Sequence, residues 1–220
     1  MTFLELCKEV RSRAGITGTG PLTVVGQIGE LGRIVSFTNE AYIELQDSRE
    51  DWYFLRNDFT FNCTSTVSAY PTTTVSNLAN WKNDSFRCYL TTANDEQWLR
   101  YIPWDEFRDL RLFGTNRTAT GKPIEFTIKP DKSLVLWPIP DAAYTVVGEY
   151  YRTAATMTAD SDTPLFSRYQ YVIVYAALMR QGAYISDPAL YSSSEIEYNK
   201  LLSQLTRNEK DTITIGRAMA

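Results

Sequence analysis

The sequence contains no histidine, and this absence narrows the possible functions considerably. Without histidine the chain cannot form a Ser-His-Asp or Cys-His catalytic group, and it lacks a ligand that most catalytic zinc sites use. Cysteine is also scarce: Cys7, Cys63 and Cys88 are an odd number and show no CxxC spacing. We therefore expect three reduced thiols, with neither a disulfide framework nor a bound metal or other cofactor.

Long apolar runs and an excess of basic charge are missing as well. The longest apolar run, residues 172–179, is far shorter than the ~20 residues that a helix needs to cross a bilayer. The N-terminal residues mix acidic and basic side chains, unlike a signal peptide. With Lys+Arg 22 and Asp+Glu 26 the net charge is −4, which argues against a protein that grips nucleic acid through a basic face. We expect a soluble protein, made in the cytoplasm, with no membrane partner.

Helical patterns are present at both ends of the chain. Thr2 is a good cap for a first helix, which Gly15 would end, and a Gly/Thr-rich loop of residues 16–27 leads to a second helix over Gly29–Asp47. We interpret Gly32, inside this helix, as a site of close helix–helix approach. Near the C-terminus two further helical stripes are predicted, the first ending near Gly182 and the second following Asp187-Pro188. The first stripe comprises Leu165, Tyr169, Val172, Ile173, Ala176 and Ala183, and the second Tyr191, Tyr198, Leu201, Leu202 and Leu205.

The middle of the chain is rich in Thr, Tyr, Phe and Val, as expected of strands. Ile124, Phe126 and Ile128 alternate before a Pro130-Asp131-Lys132 turn and a second apolar run, which predicts a β-hairpin. Residues 144–152 are apolar or aromatic at both parities, which predicts a strand buried on both faces. A short helix is expected to start at Pro103-Trp104.

These patterns predict an α+β fold in which the N- and C-terminal helix pairs form one bundle that carries a β-rich insertion. The expected boundaries are 1–56 for the first helix pair, 57–152 for the insertion and 153–207 for the second pair. Residues 208–220 lose the helical period, and we expect an extended C-terminal tail there.

Motifs that carry chemistry are weak. Gly18-Thr19-Gly20 precedes a helix but lacks the Lys-Ser/Thr of a phosphate-binding loop. Asp105 and Asp109 share a helix face, and Asp160-Ser161-Asp162 resembles a metal-binding triplet. Neighbouring arginines indicate an ordinary charged helix face for the first pair, whereas the second lies where acids serve as caps and turn residues. We expect no catalytic residue and no enzyme activity.

The chain carries 5 tryptophans and 14 tyrosines, a heavy aromatic load. Most would serve the core, but some could form a protein–protein interface or stack against carbohydrate. We predict that an interface with another subunit or with a tail protein includes Trp81, Trp98 and Trp104.

The order of these segments resembles the head-to-tail connector, or adaptor, proteins of tailed bacteriophages. In such proteins a short helix, a Gly/Thr/Pro loop and a second helix precede a Trp-containing segment, here Asp51-Trp52-Tyr53. The stretches Gly121-Lys122-Pro123 and Ser133-Leu134-Val135-Leu136-Trp137-Pro138 also match the family pattern, as does the closing helix pair.

The resemblance implies a structural virion protein at the head-to-tail interface. Such adaptors form a ring, usually of twelve copies, below the portal protein; the ring extends the DNA channel and carries a tail or nozzle protein. Their C-terminal segment docks into the portal, and here this segment maps onto Thr212, Ile213, Thr214, Ile215 and Arg217. DNA would pass through the lumen without sequence-specific binding.

Two other classes stay open. A tail-completion protein would differ in its neighbours rather than in its chemistry. A carbohydrate-binding module would use exposed tryptophans on the β-rich part.

Overall fold

The computed structural model describes residues 1–90 and 95–209, and within these ranges it contains five α-helices and eleven strands. The predicted mixture of helix and sheet is therefore confirmed. The described chain divides into two units. The helical unit comprises Met1–Leu55 together with the described residues from Ala154 onward, and the β-rich unit comprises Arg56–Thr153.

Four helices belong to the helical unit and a fifth, short helix to the β-rich unit. In chain order they are α1 (Phe3–Arg13), α2 (Gly29–Asp47), α3 (Trp104–Arg111, in the β-rich unit), α4 (Tyr171–Ile185) and α5 (Pro188–Asn208). In the helical unit α4 packs against α1, α2 and α5. It is the most apolar of these helices, and its buried residues include Val172, Ile173 and Ala177.

The start of α1 follows from its sequence. The Glu5 amide donates to the Thr2 hydroxyl at 3.2 Å and the Thr2 amide donates to the Glu5 carboxylate at 2.8 Å, which is a complete capping box. Phe3, Leu6 and Val10 are at most 1% exposed. Gly15 follows the helix with φ +71°, as a residue that ends a helix in the left-handed region should.

Gly32 has a role other than the one predicted, and Gly182, near the end of α4 as expected, has a role that the sequence did not show. A Cβ at Gly32 would lie 2.7 Å from the carbonyl oxygen of Gln27, so this glycine accommodates the preceding loop and not a second helix. Gly182 lies inside α4, and a Cβ there would lie 2.9 Å from the backbone nitrogen of Tyr191. It therefore permits close packing on α5, while Ser186, at φ 57°, caps the C-terminus of α4.

The apolar stripe predicted for α4 is only partly correct. The helix begins at Tyr171, so Leu165 and Tyr169 precede it, and Tyr169 has φ 59°. Ala183 is exposed, because the chain turns into α5 just beyond it. Asp187 caps α5 by accepting hydrogen bonds from the amides of Ala189 and Leu190, both at 3.0 Å.

The described strands of the β-rich unit form three sheets. The strands are β1 (Arg56–Asn62), β2 (Ala69–Tyr70), β3 (Leu78–Trp81), β4 (Arg87–Tyr89), β5 (Gln97–Trp98), β6 (Arg100–Tyr101), β7 (Thr120–Gly121), β8 (Glu125–Ile128), β9 (Leu134–Trp137), β10 (Ile139–Pro140) and β11 (Thr145–Arg152). One sheet has the order β1-β11-β4-β5, with β3 also paired to β11, and a second has the order β2-β9-β8-β6. β7 and β10 form a short parallel pair.

The predicted hairpin is confirmed as the antiparallel pair β8–β9, in which Phe126 lies opposite Leu136. Lys132 in the connecting turn has φ 64°, and its carbonyl accepts a hydrogen bond from the Trp81 indole at 2.8 Å. Phe126 stacks on Phe86 with ring centroids 4.1 Å apart at the centre of the core. The hairpin thus supplies one wall of the core of this unit.

The prediction that residues 144–152 are buried on both faces is wrong. Val146, Gly148 and Tyr150 are buried, whereas Thr145, Val147 and Glu149 on the other face are partly exposed. That outer face carries charge: Glu149 accepts from the Arg56 guanidinium at 2.6 Å, and Lys82 lies at 3.5 Å from the same carboxylate. One-sided burial is ordinary for an antiparallel sheet.

Candidate interaction surfaces

Trp98 is the most exposed tryptophan of the β-rich unit, at 67%. Register places it opposite Arg87 on the neighbouring strand, and the Arg87 guanidinium lies 5.5 Å from the centre of its ring. Arg87 in turn pairs with Glu96 at 3.2 Å. The indole is therefore held by a cation–π contact while most of its surface stays open, which suits it to contact a partner.

A small polar hollow of about 200 Å³ lies beside Trp98. Its lining includes Asp58, Lys82, Ser85 and Glu149, so hydroxyl, ammonium and carboxylate groups surround the indole. The Lys82 ammonium donates a hydrogen bond to Asp84, and this bond together with the positive charge of Lys82 lowers the pKa of the Asp84 carboxyl. Partial burial acts in the opposite direction but is outweighed. Lys82 also lies 3.5 Å from Glu149, so its charge is balanced by nearby carboxylates. The hollow therefore presents positive, negative and neutral polar groups side by side.

The other two selected tryptophans are less exposed. Trp104, at the start of α3, is partly buried, and the Lys129 ammonium lies 5.8 Å from its ring centre. Trp81 is only 7% exposed and belongs to the core with Phe59 and Phe86. Because its indole faces the interior, we correct its selection as an interface residue and retain Trp98 and Trp104.

The C-terminal end of α3 presents exposed apolar side chains that the sequence did not reveal. Leu110 and Phe113 are 48% and 75% exposed, near the end of this helix. The position of α3 is fixed by Arg111, whose guanidinium donates to Glu125 on β8 at 2.6 Å and 3.1 Å. Arg111 also lies over the ring of Trp137, 4.3 Å from its centre.

Glu125 is a buried carboxylate, 5% exposed, that also accepts a hydrogen bond from Arg100 at 2.6 Å. Burial by itself would raise the pKa of Glu125, but the hydrogen bonds and charges of Arg111 and Arg100 outweigh it and hold the pKa below its usual range. Sequence reasoning missed this residue. The only available signal was an acid between the apolar Ile124 and Phe126 in a predicted strand.

The carboxylate pairs considered for catalysis or metal binding have structural partners. Asp105 and Asp109 both contact Arg108, at 3.3 Å and 2.9 Å, on an exposed helix face. Asp160 and Asp162 bind different backbone segments. Among the described residues, no group of three or more Cys, Asp or Glu side chains is arranged to hold a metal ion.

Asp160 and Asp162 support the loops around α1. The Asp160 carboxylate accepts hydrogen bonds from the Val24 amide at 2.6 Å and from the Thr23 hydroxyl at 3.1 Å. Asp162 accepts from the amides of Ala159 and Thr158, at 2.8 Å and 2.6 Å, and these bonds lower its pKa. Both acids thus stabilise turns, as the sequence indicated.

The three thiols are free and buried. Burial raises the pKa of Cys7 to about 12 and that of Cys88 to about 12, and it also raises the pKa of Cys63. A thiol with so high a pKa is almost entirely protonated near neutral pH and is a poor nucleophile or metal ligand.

The helical unit has a groove along the exposed side of α4. Its floor is formed by Ala176, Met179 and Ala183, and Tyr191 and Tyr198 of α5 line one side. Across from the tyrosines, Arg180 binds Glu40 at 3.1 Å and Glu44 at 2.5 Å. This part has a volume of about 290 Å³, and an adjoining hollow of about 460 Å³ shares Ala183 and Tyr191 with it. We call the two together the α4 groove.

The five residues predicted to dock into a portal lie outside the described residues. They are Thr212, Ile213, Thr214, Ile215 and Arg217. Among the helices that are described, none combines the length and the apolar character that crossing a membrane requires.

An α+β scaffold that holds exposed aromatic side chains by arginine contacts, and whose acidic residues support turns, is typical of a structural protein that presents contact surfaces to other chains. The chain belongs to the SU10 adaptor protein family, whose family model matches residues 1–218. No curated protein sequence matches it.

Membership in this family confirms the resemblance found in the sequence. The family consists of structural adaptor proteins of bacteriophages, so the chain is a structural virion protein, and portal and tail components are its expected neighbours.

Proposed function

We propose that this chain assembles into a dodecameric ring below the portal of a bacteriophage head, extends the DNA channel and joins the head to the tail. The observation that carries this proposal is the family match over residues 1–218, which spans both units. A ring subunit needs large contact surfaces on more than one side. The open indole of Trp98 and the α4 groove offer contact sites for such surfaces, one on each unit.

In this proposal the helices of both chain ends form one bundle that makes the ring wall, and the β-rich unit is an insertion that faces outward or toward the tail. Contacts between the chain ends support the bundle. The Phe3 amide donates to the Asp162 carbonyl at 2.7 Å, and Arg180 of α4 pairs with Glu40 and Glu44 of α2. Neither helix pair could bury its apolar stripe alone.

The C-terminal segment is the proposed portal-docking element. Its sequence alternates as Thr212-Ile213-Thr214-Ile215, and a basic Arg217 follows after Gly216. Docking by every copy in a ring would join many weak contacts into one strong attachment. The net charge of −4 is consistent with a channel through which DNA passes without being held.

The experiment that tests this proposal is electron microscopy of the purified full-length chain, alone, mixed with portal rings and mixed with isolated tails of the same phage. Rings of twelve copies capping the portal are the expected result. A chain that binds tail components but never the portal would be a tail-completion protein, and a chain that binds neither would overturn the proposal.

A second candidate function rests on Trp98 and the polar hollow beside it. An open indole next to carboxylates, a hydroxyl and an ammonium can stack on a sugar ring and hydrogen-bond its hydroxyl groups. Quenching of tryptophan fluorescence by oligosaccharides, lost in Trp98→Ala but kept in Trp104→Ala, would support this candidate. Fluorescence unchanged across a glycan panel would exclude it.

A further inference from the structure

The loop of residues 16–28 combines an anchored backbone with exposed aliphatic side chains. Leu22, Val25 and Ile28 are 85%, 65% and 87% exposed. The backbone between them is nevertheless fixed, because Val24 is buried and its amide donates to Asp160 at 2.6 Å. At the start of the loop, Arg11 donates to the carbonyls of Ile16 and Gly18.

These three aliphatic residues therefore project from a supported segment. A loop that merely connected two helices would need no aliphatic side chain in water, and three exposed aliphatic side chains within seven residues indicate a contact site. The chain offers a concave counterpart in the α4 groove, whose floor of Ala176, Met179 and Ala183 is apolar. Both features are open in the same described molecule, so the loop does not fill its own groove.

Charge at the two surfaces is complementary. Glu44 and Arg180 line the groove, and Arg180 pairs with Glu44 and with the adjoining Glu40. The base of the loop carries Lys8 and Arg11: a Cβ at Gly20 would lie 2.9 Å from the Lys8 side chain and 3.2 Å from that of Arg11. Arg11 donates to backbone carbonyls there, so its charge is not cancelled by a carboxylate within the loop.

We propose that the loop of residues 16–28 of one copy packs into the α4 groove of a second copy of this chain. Leu22, Val25 and Ile28 supply the apolar contact, and Lys8 and Arg11 face Glu40 and Glu44. The contact joins two different surfaces, so each copy can bind one neighbour through its loop and another through its groove. Such a heterologous contact closes into a ring when the rotation fits. This inference rests on the self-association in the proposed function and names the surfaces that produce it.

Cysteine cross-linking tests the contact directly, because the three native thiols are at most 2% exposed. Leu22→Cys and Ala183→Cys are made as two separate full-length variants, and a third variant, Ile196→Cys, places a thiol at a 68% exposed site of α5 away from the groove. Each is oxidised under mild conditions, alone and in pairwise mixtures, with and without portal rings of the same phage.

The expected result is a cross-linked dimer in the mixture of Leu22→Cys with Ala183→Cys, formed at least tenfold faster than in the mixture of Leu22→Cys with Ile196→Cys. Equal rates in the two mixtures would overturn the inference. Faster cross-linking of Leu22→Cys with itself would overturn it as well, since that outcome indicates a symmetric contact between loops.

A second measurement separates this inference from the ring proposal. Leu22→Asp changes an exposed side chain, so folding should be unaffected, and we expect its self-association measured by sedimentation to weaken at least tenfold, while Ile196→Asp associates as the unchanged chain does. Rings that form normally with Leu22→Asp would overturn the loop–groove contact and leave the ring proposal standing. An unchanged chain that stays monomeric even on portal rings would overturn both.

Discussion

The carboxylate of Glu125 is buried between two arginines, Arg111 of α3 and Arg100 of β6. Removing one partner of a buried charge pair leaves the other uncompensated, which is the costly case. We expect Glu125→Gln to lower the free energy of unfolding by about 1–3 kcal/mol at pH 7, measured by urea denaturation. Asp105→Asn, which removes an exposed ion pair on α3, should change it by less than about 0.5 kcal/mol.

The pH dependence of this effect has a definite sign. The pKa of Glu125 is lower in the folded chain than its unfolded value of about 4.3. Its stabilisation is therefore fully present above that value and is lost as the pH falls through the folded pKa. The difference between the unchanged chain and Glu125→Gln should shrink below about pH 4; a difference that grew on acidification would contradict this assignment.

The cysteines allow a second prediction at the residue scale. Because Cys7, Cys63 and Cys88 are buried and their pKa values raised, the folded chain should not react with a thiol reagent at pH 8. In denaturant all three thiols should react. The measurement is the amount of thiolate that the reagent releases in each condition. One rapidly reacting thiol in the folded chain would contradict the burial of these three side chains.

Among the elements, the α4–α5 pair depends on Gly182. A Cβ at this position would lie 2.9 Å from the Tyr191 nitrogen and 3.2 Å from its Cα. Glycine to alanine inside a helix ordinarily gains about 1 kcal/mol. Here we expect Gly182→Ala to lower the free energy of unfolding by about 1–3 kcal/mol, because two backbones must separate.

The matched control for this prediction is Ser203→Ala on the exposed side of α5, which should change stability by no more than about 0.5 kcal/mol. Thermal unfolding of both variants is the measurement. A stabilised Gly182→Ala variant would show that the two helices can separate without cost.

Elements with strong local signals could be predicted from the sequence. Thr2 with Glu5 three residues later fixes the start of α1, and alternating residues around a Pro-Asp-Lys turn fix β8 and β9. The roles of Gly32 and Gly182 could not be predicted, since each depends on which backbone approaches the helix. Helical periodicity also extended the α4 stripe back to Leu165, because spacing alone does not show where the first hydrogen-bonded turn begins.

The candidate surfaces were harder to predict than the elements. The exposed Trp98 was selected as an interface residue together with the buried Trp81, because composition does not distinguish one indole from another. Glu125 meets arginines 14 and 25 positions away, and only the pairing of β6 with β8 and the packing of α3 bring them together. Leu22, Val25 and Ile28 lie in a Gly/Thr-rich loop where no periodic pattern distinguishes outward from inward side chains.

At the scale of the whole molecule, the proposed portal attachment can be separated from folding. Deleting residues 211–220 keeps Glu209, whose carbonyl accepts a hydrogen bond from the Tyr53 amide at 3.2 Å. We expect the truncated chain to unfold at the same temperature as the full chain, within about 2 °C, but to lose binding to portal rings in co-sedimentation. Normal portal binding by the truncated chain would overturn the docking assignment.

The division of the chain also bears on its synthesis. The β-rich unit is one continuous stretch, Arg56–Thr153, whereas the helical unit needs residues from both sides of it. The amides of Phe3 and Leu4 donate to the carbonyls of Asp162 and Asp160, and α1 packs on α4. During translation the β-rich unit is therefore complete first, and α1 and α2 can pack on α4 only after α4 has emerged from the ribosome. The residues of α1 are thus made before the β-rich unit but reach their final neighbours after it.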